Sequence, residues 1–173
     1  LGNVGNVLLP QELDRACELV NYPVEPNYSC SISLGIDPGF GSSKTAMSII
    51  QFEDGILKVI YSHEWDKPSY EAMLHEVSRL KVVYRPGKIY IDGANPEFIK
   101  SLKSMFNEQQ DYDKVIERSK HDKIPYDRRM FVVPVSFNKF GSELLARLQH
   151  FISKEQLALS AVEHSALVTQ LRM

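Results

Sequence analysis

The spacing of hydrophobic and polar residues changes repeatedly along the chain, and each change separates a predicted strand from a predicted helix. Short runs rich in Ile, Val and aromatic residues predict strands at 31–37, 45–52, 56–63, 88–92 and 131–135. Apolar residues at helical spacing predict helices at 68–83, 96–106, 139–151 and 163–172. Two hairpin-linked strands follow the first strand, and helices and strands then alternate. This order predicts an α/β fold, with a mixed sheet of about five strands flanked by helices.

The first thirty residues differ from the regular chain that follows them. Pro10 and Glu12 are typical of the first turn of a short helix, and residues 21–30 contain two prolines and no clear period. We therefore expect a helical arm and linker in residues 1–30 and a compact domain in residues 31–173. The chain starts at Leu1 and stops inside a predicted helix. Our interpretation is a piece of a larger protein.

Composition narrows the class of protein. With 173 residues, 43% hydrophobic and 24% charged, the chain can form a core, which excludes a disordered, collagen-like or disulfide-stapled chain. No run approaches the roughly 18 apolar residues of a membrane span, and no signal peptide is visible. Cys17 and Cys30 are too few for a disulfide framework or a structural zinc site. A net charge of −2 argues against a strongly cationic protein but allows a local basic groove.

Two aspartates carry the candidate chemistry, because each ends a short apolar strand. Asp37 precedes Pro38 and Gly39, and Asp92 precedes Gly93, so each alone is also typical of a turn. At the ends of adjacent parallel strands, however, two carboxylates would lie close together and repel each other. Such a pair rarely persists without a cation or a shared proton. Hard carboxylate ligands favour Mg²⁺ or Mn²⁺.

The motifs around these aspartates resemble a known family. Residues 34–46, Leu-Gly-Ile-Asp-Pro-Gly-Phe-Gly-Ser-Ser-Lys-Thr-Ala, are similar to the first nuclease motif of viral terminase large subunits. Ile91-Asp92-Gly93 resembles their second motif, and residues 163–171 resemble the approach to the third. Residues 2–4 and 10–13 resemble the segment that joins the packaging ATPase to its nuclease. The order of the predicted elements is also that of the ribonuclease H-like fold.

The resemblance implies a metal-dependent endonuclease that cuts concatemeric double-stranded DNA during viral genome packaging. Asp37 would then bridge two Mg²⁺ or Mn²⁺ ions, and Asp92 would hold one of them. The resemblance also implies that the domain is truncated before its last helix, so a third acid is expected beyond Met173. The implied partners are double-stranded DNA, the terminase ATPase domain of the full-length chain, the portal and the small terminase subunit, without a membrane. The implied location is the cytoplasm of the infected host cell.

Four basic residues are candidates for contacts with DNA phosphates. Lys44 follows the turn after Asp37, where it either reaches a phosphate or neutralises the carboxylates, and Lys139 has a similar ambiguity. Arg128 and Arg129 belong to the basic second half of residues 111–129. In the family this segment lies near the DNA path, although a solvated surface insertion is an equally good interpretation. The five histidines lack partners at metal-ligand spacing and are predicted to be structural or surface residues.

Three alternatives stay open at this stage. A RuvC-like junction resolvase also opens with Gly-Ile-Asp-Pro-Gly, but carries a glutamate where Asp92 stands here and lacks the N-terminal arm. An actin- or sugar-kinase-type ATPase has a phosphate loop similar to residues 37–45, but needs a second phosphate loop and an adenosine motif. The third alternative is a ribonuclease H-like module that only binds DNA or other motor subunits.

Overall fold

A computed structural model of the protein describes residues 8–39, 44–105 and 131–173. In those ranges an opening helix is followed by three consecutive strands, after which helices and strands alternate. The strands are β1 (Ser31–Asp37), β2 (Lys44–Glu53), β3 (Ile56–Asp66), β4 (Lys88–Asp92), β5 (Phe131–Val135) and β6 (Leu157–Ala158). The helices are α1 (Pro10–Glu18), α2 (Tyr70–Tyr84), α3 (Pro96–Met105), α4 (Phe137–Ser153) and α5 (Ser165–Arg172).

Within these ranges the strands form one mixed sheet of six strands in the order β5-β4-β1-β2-β3-β6. β1 runs parallel to β4 and β4 parallel to β5, while β2 is antiparallel to both β1 and β3. The predicted α/β fold with a mixed sheet is confirmed. The addition is β6, a two-residue strand parallel to β3, which is too short to show a period in the sequence.

One face of the sheet packs against α2 and α3. Alternate strand residues such as Leu34 and Ile89 point to this face, where both are fully buried against the apolar side of α2. Helix α2 begins where the Ser69 hydroxyl accepts a hydrogen bond from the Ala72 N–H, at 3.1 Å. It ends at Arg85, whose φ of 50° is left-handed. This core holds the carboxyl ends of β1 and β4 in place.

The opposite face packs against α1, α4 and α5 at the β3 and β6 end of the sheet. Leu13 on α1, Ile152 on α4 and Val168 on α5 share a second buried cluster. The helix of the predicted N-terminal arm therefore packs against the predicted domain. The boundary at residue 30 stays a prediction. No helix within the described ranges has the length and apolar character needed to cross a membrane.

Candidate metal site at the carboxyl edge of the sheet

Asp37 and Asp92 end two neighbouring parallel strands in matching register. Ile36 on β1 pairs with Ile91 on β4, and each aspartate follows its isoleucine by one residue. The two isoleucines are buried in the core, so the aspartates lie on the other face of the sheet, on strands about 4.8 Å apart. Asp37 is exposed and Asp92 is half-buried. The fold thus brings together the two residues proposed from the sequence; their ligand roles stay predictions.

Backbone N–H groups near both aspartates donate hydrogen bonds. The Ala94 N–H donates to Asp92 Oδ1 at 3.3 Å, and the Gly93 N–H donates to the Val135 carbonyl at 2.9 Å. After Asp37, the Gly39 N–H donates to Thr45 Oγ1 at 3.0 Å, and Thr45 is fully buried. These bonds hold the described backbone next to both carboxylates, which limits the entropy lost when a ligand binds.

A third carboxylate, Glu64, occupies the same row of the sheet. Asp37 pairs with Ala46 on β2, and Ala46 pairs with Glu64 on β3, so Glu64 lies roughly 10 Å from Asp37 across two strand spacings. Lys44 Nζ donates to Glu64 Oε1 at 3.2 Å, and Gln170 Nε2 donates to Glu64 Oε2 at 2.8 Å. Sequence reasoning missed Glu64 and Gln170, since only the strand register relates them to Asp37.

The four basic residues that were proposed to contact DNA differ in where they lie. Lys44 forms its ion pair with Glu64, and its side chain remains 59% exposed. Lys139 lies in the first turn of α4, where its N–H donates to Ser136 Oγ at 3.3 Å. That turn follows Val135, which pairs with Asp92, so Lys139 is at the same edge of the sheet. Arg128 and Arg129 lie outside the described residues, and all four DNA contacts stay predictions.

The donor set at this edge suits a hard cation. Asp37 and Asp92 offer only carboxylate oxygens, which are the ligands preferred by Mg²⁺ and Mn²⁺ and differ from a closed Cys/His zinc site. No group of three or more His, Cys, Asp or Glu side chains within the described ranges could hold a metal ion. Asp37 and Asp92 therefore fit part of the oxygen ligand set of a hard cation.

One histidine is buried and hydrogen-bonded, and both cysteines are free. His164 is only 3% exposed, and its Nδ1 accepts a hydrogen bond from the Ser160 N–H at 2.9 Å. Burial lowers the pKa of His164, against the opposing charge of Glu163. Cys17 and Cys30 are free thiols. For His164 the predicted structural role is confirmed.

Known proteins similar to this chain were found by structure. No protein-family model and no curated protein sequence matches it. The large terminase nuclease of the thermophilic phage G20c is similar at 12% identity and a TM-score of 0.63, over 93% of this chain and 77% of that one. The large terminase nuclease domain of Thermus phage P74-26 is similar at 14% identity and a TM-score of 0.59, over 93% of this chain and 75% of that one.

A longer protein shows the same relationship. The large terminase of another thermophilic bacteriophage is 8% identical with a TM-score of 0.60, and the match covers 99% of this chain but only 36% of that terminase. Crystal structures of the G20c nuclease with bound magnesium, zinc or cobalt also match. At these identities the likeness is one of fold. This chain has the ribonuclease H-like α/β fold of phage large terminase nuclease domains.

Proposed function

We propose that this chain is the nuclease domain of a viral terminase large subunit and cleaves double-stranded DNA with a divalent metal. One observation carries the proposal: Asp37 and Asp92 end in-register parallel strands at one edge of a sheet that has the terminase nuclease fold. Two carboxylates this close repel each other in the absence of a cation or a shared proton. A cation site explains their position better than two unrelated turn aspartates.

Each aspartate has a separate task in the proposed reaction. When bound, divalent cations would supply an activated water and stabilise the charge that develops on the leaving 3′-oxygen. Asp37, the more exposed carboxylate, would bridge two cations, and Asp92 would hold one of them. The bond from Asp92 Oδ1 to the Ala94 N–H keeps one carboxylate oxygen oriented by its own turn. Water would add to the phosphorus as the bond from phosphorus to the 3′-oxygen breaks, and the proton that the water loses would pass through solvent to the leaving 3′-oxygen, which departs as a hydroxyl.

The metal preference is expected to follow from the small number of carboxylates. Mg²⁺ keeps most of its waters and gains little from two ligands, whereas Mn²⁺ binds such sites more tightly. The G20c nuclease structures contain magnesium, zinc or cobalt, which supports divalent metals in this fold without selecting one of them. We therefore propose Mg²⁺ or Mn²⁺ in a two-metal site, with Mn²⁺ bound more tightly by these residues.

The proposed biological setting follows from the full-length relative. A bacteriophage large terminase of which this chain matches about a third was solved in complex with ADP. We propose that this nuclease works beside the ATPase domain of a large terminase, with the portal and the small terminase subunit as further partners. Its substrate would be concatemeric DNA in the cytoplasm of the infected host cell.

The test is cleavage of supercoiled plasmid by the purified chain in Mn²⁺, in Mg²⁺ and in EDTA. We expect nicking in Mn²⁺, slower nicking in Mg²⁺ and none in EDTA. Asp37→Asn should abolish cleavage, while Asp54→Asn, at an exposed turn at the other edge of the sheet, should not. Cleavage by Asp37→Asn at the wild-type rate would overturn the proposal. A strong preference for four-way junctions would favour the resolvase alternative.

A further inference from the structure

A groove with a cavity volume of about 560 Å³ is lined by residues of α3 and β5, on the face of the sheet that packs against α2 and α3. It reaches the carboxyl edge of the sheet at Gly93, which follows Asp92 directly and forms part of its wall, while the Asp92 side chain lies on the other face at that edge. The groove then follows α3 away from the carboxyl edge. Its lining includes Gly93, Pro96, Lys100, Lys103, Ser104 and Pro134.

The groove carries positive charge on one side. Pro96, Lys100 and Lys103 recur at intervals of four and three residues, which places them on one side of α3. Both lysines are exposed, and neither forms an ion pair with any other residue in the described ranges. The acid of the helix, Glu97, lies beside Tyr70, whose hydroxyl donates to the Glu97 carbonyl at 3.4 Å, and it does not line this groove.

The edge strand is unsuited to pairing with another strand. In the described part of the sheet β5 is terminal, and the Phe131 N–H donates inward to the Gly87 carbonyl. Backbone N–H groups alternate in direction along a strand, so those of Val133 and Val135 also point toward β4. The backbone nitrogen of Pro134 therefore points away from the sheet. Pro134 has no N–H, which removes the donor that an added strand would need there. An extended peptide is therefore a poor occupant of this groove.

We propose that the groove binds the phosphodiester backbone of double-stranded DNA beside the bond that is cut, with Lys100 and Lys103 each contacting a phosphate. This inference rests on the proposed function and adds a substrate surface to it. The two lysines have Cβ atoms about 5–6 Å apart, and their flexible stems allow each ammonium to reach its own phosphate. The Ser104 hydroxyl adds a donor of the kind that contacts phosphates in protein–DNA complexes.

The experiment measures binding of a fluorescent 30-base-pair duplex by anisotropy, in EDTA so that no cleavage occurs, between 50 and 200 mM NaCl. Each phosphate contact contributes about 0.9 to the slope of log affinity against log salt. The Lys100→Gln/Lys103→Gln variant should therefore lose about 2 units of slope and bind about tenfold more weakly at 50 mM. Each single variant should lose about 1 unit.

The control removes the same charge elsewhere. Arg15→Gln/Lys154→Gln changes two cations at the α1 and α4 side of the molecule, where Arg15 pairs with Glu155 at 3.7 Å. It should keep the wild-type slope. An unchanged slope in the groove variant, an equal loss in the control, or no binding by the wild-type chain would each overturn the proposal. Circular dichroism and the Tm establish that all variants are folded.

Cleavage separates this proposal from the proposed function. With Mn²⁺ the groove variant should cut plasmid with a raised KM and an unchanged kcat, because the lysines act on binding rather than on the reacting atoms. DNA binding that depends on Lys100 and Lys103, without any cleavage by the wild-type chain, would contradict the nuclease and support the groove. Metal-dependent cleavage by the wild-type chain, with a salt slope that neither lysine substitution changes, would support the nuclease and contradict the groove.

Discussion

Gln170 on α5 donates a 2.8 Å hydrogen bond from Nε2 to Oε2 of Glu64 on β3, across 106 residues of sequence. Glu64 is in the same row of the sheet as Asp37, so this bond docks α5 at the edge that carries the candidate metal site. Lys44 binds the other oxygen of Glu64 at 3.2 Å. Glu64 therefore connects the second strand, the third strand and the last described helix.

Gln170→Ala should loosen the end of α5 without unfolding the domain. Glu64 has a side chain 23% exposed, so the lost bond should cost less than about 1 kcal/mol of unfolding free energy. Hydrogen exchange should become faster for the backbone amides of α5. Thr169→Ala, an exposed neighbour on the same helix, is the control and should leave that exchange unchanged. If the backbone amides of α5 exchange at the same rate in both variants, the hydrogen bond does not dock the helix.

Asp37→Asn and Asp92→Asn should each abolish the stabilisation of the fold by Mn²⁺. A ligand that binds only the folded state raises stability by about 2.7 kcal/mol at a hundred times its dissociation constant. We therefore expect Mn²⁺ to raise the Tm of the wild-type chain, measured by differential scanning fluorimetry, and not that of either variant. Without metal, each variant should be at least as stable as the wild type, because the repulsion between the carboxylates is removed.

Asp54→Asn is the matched control for nonspecific effects of Mn²⁺ on the Tm. Asp54→Asn removes an exposed carboxylate whose backbone φ of 55° is one that asparagine tolerates. Its Tm should rise with Mn²⁺ as in the wild type. If Asp37→Asn responds to Mn²⁺ as strongly as Asp54→Asn, the metal binds elsewhere.

His164 should make the stability of the fold fall as the pH is lowered. Burial lowers its pKa in the folded state, and the neutral ring accepts the hydrogen bond from the Ser160 N–H. The contribution is fully present above the unfolded value of about 6.5. It is lost as the pH falls through the lower pKa of the folded state, because the unfolded chain binds the proton more readily. Urea unfolding at pH 7.5, 6.5 and 5.5 measures this loss.

Two substitutions separate the titration from the packing of His164. His164→Asn keeps an acceptor for Ser160 without a titrating ring and should flatten this part of the pH dependence. His164→Phe leaves the buried Ser160 N–H without its partner and should cost about 1–3 kcal/mol at pH 7.5. A wild-type profile in His164→Asn would contradict the assignment.

The buried side of α2 should dominate the stability of that helix. Leu80 is fully buried against the sheet, so Leu80→Ala should lower the unfolding free energy by about 2–5 kcal/mol. Val82, two residues further and 73% exposed, is the matched control, and Val82→Ala should change stability by less than about 0.5 kcal/mol. Chemical unfolding of both variants is the measurement, and similar losses would contradict the assigned core face.

The sequence by itself determined the class of fold and the two central aspartates. The alternation in strands such as Ser31–Asp37 is a local property, and burial of every second residue follows from the pleat. The positions of Asp37 and Asp92 at strand ends could also be predicted, because each aspartate ends a short apolar run. Their adjacency was expected from the resemblance of the element order to the ribonuclease H-like fold, because β4 pairs with β1 and not with β3, which precedes it in the chain.

Only the tertiary structure decided the surroundings of the site. The third strand continues to Asp66, three residues beyond its predicted end, because it stays paired with β2 as far as Lys44. β6 exists only through pairing with β3, and the packing of the predicted arm helix α1 on α4 and α5 also depends on the tertiary structure. The hydrogen bond between Glu64 and Gln170 joins a strand residue to a helix residue, and no single spacing of apolar residues relates the two. Sheet register and helix docking depend on contacts between distant parts of the chain, which a local pattern does not contain.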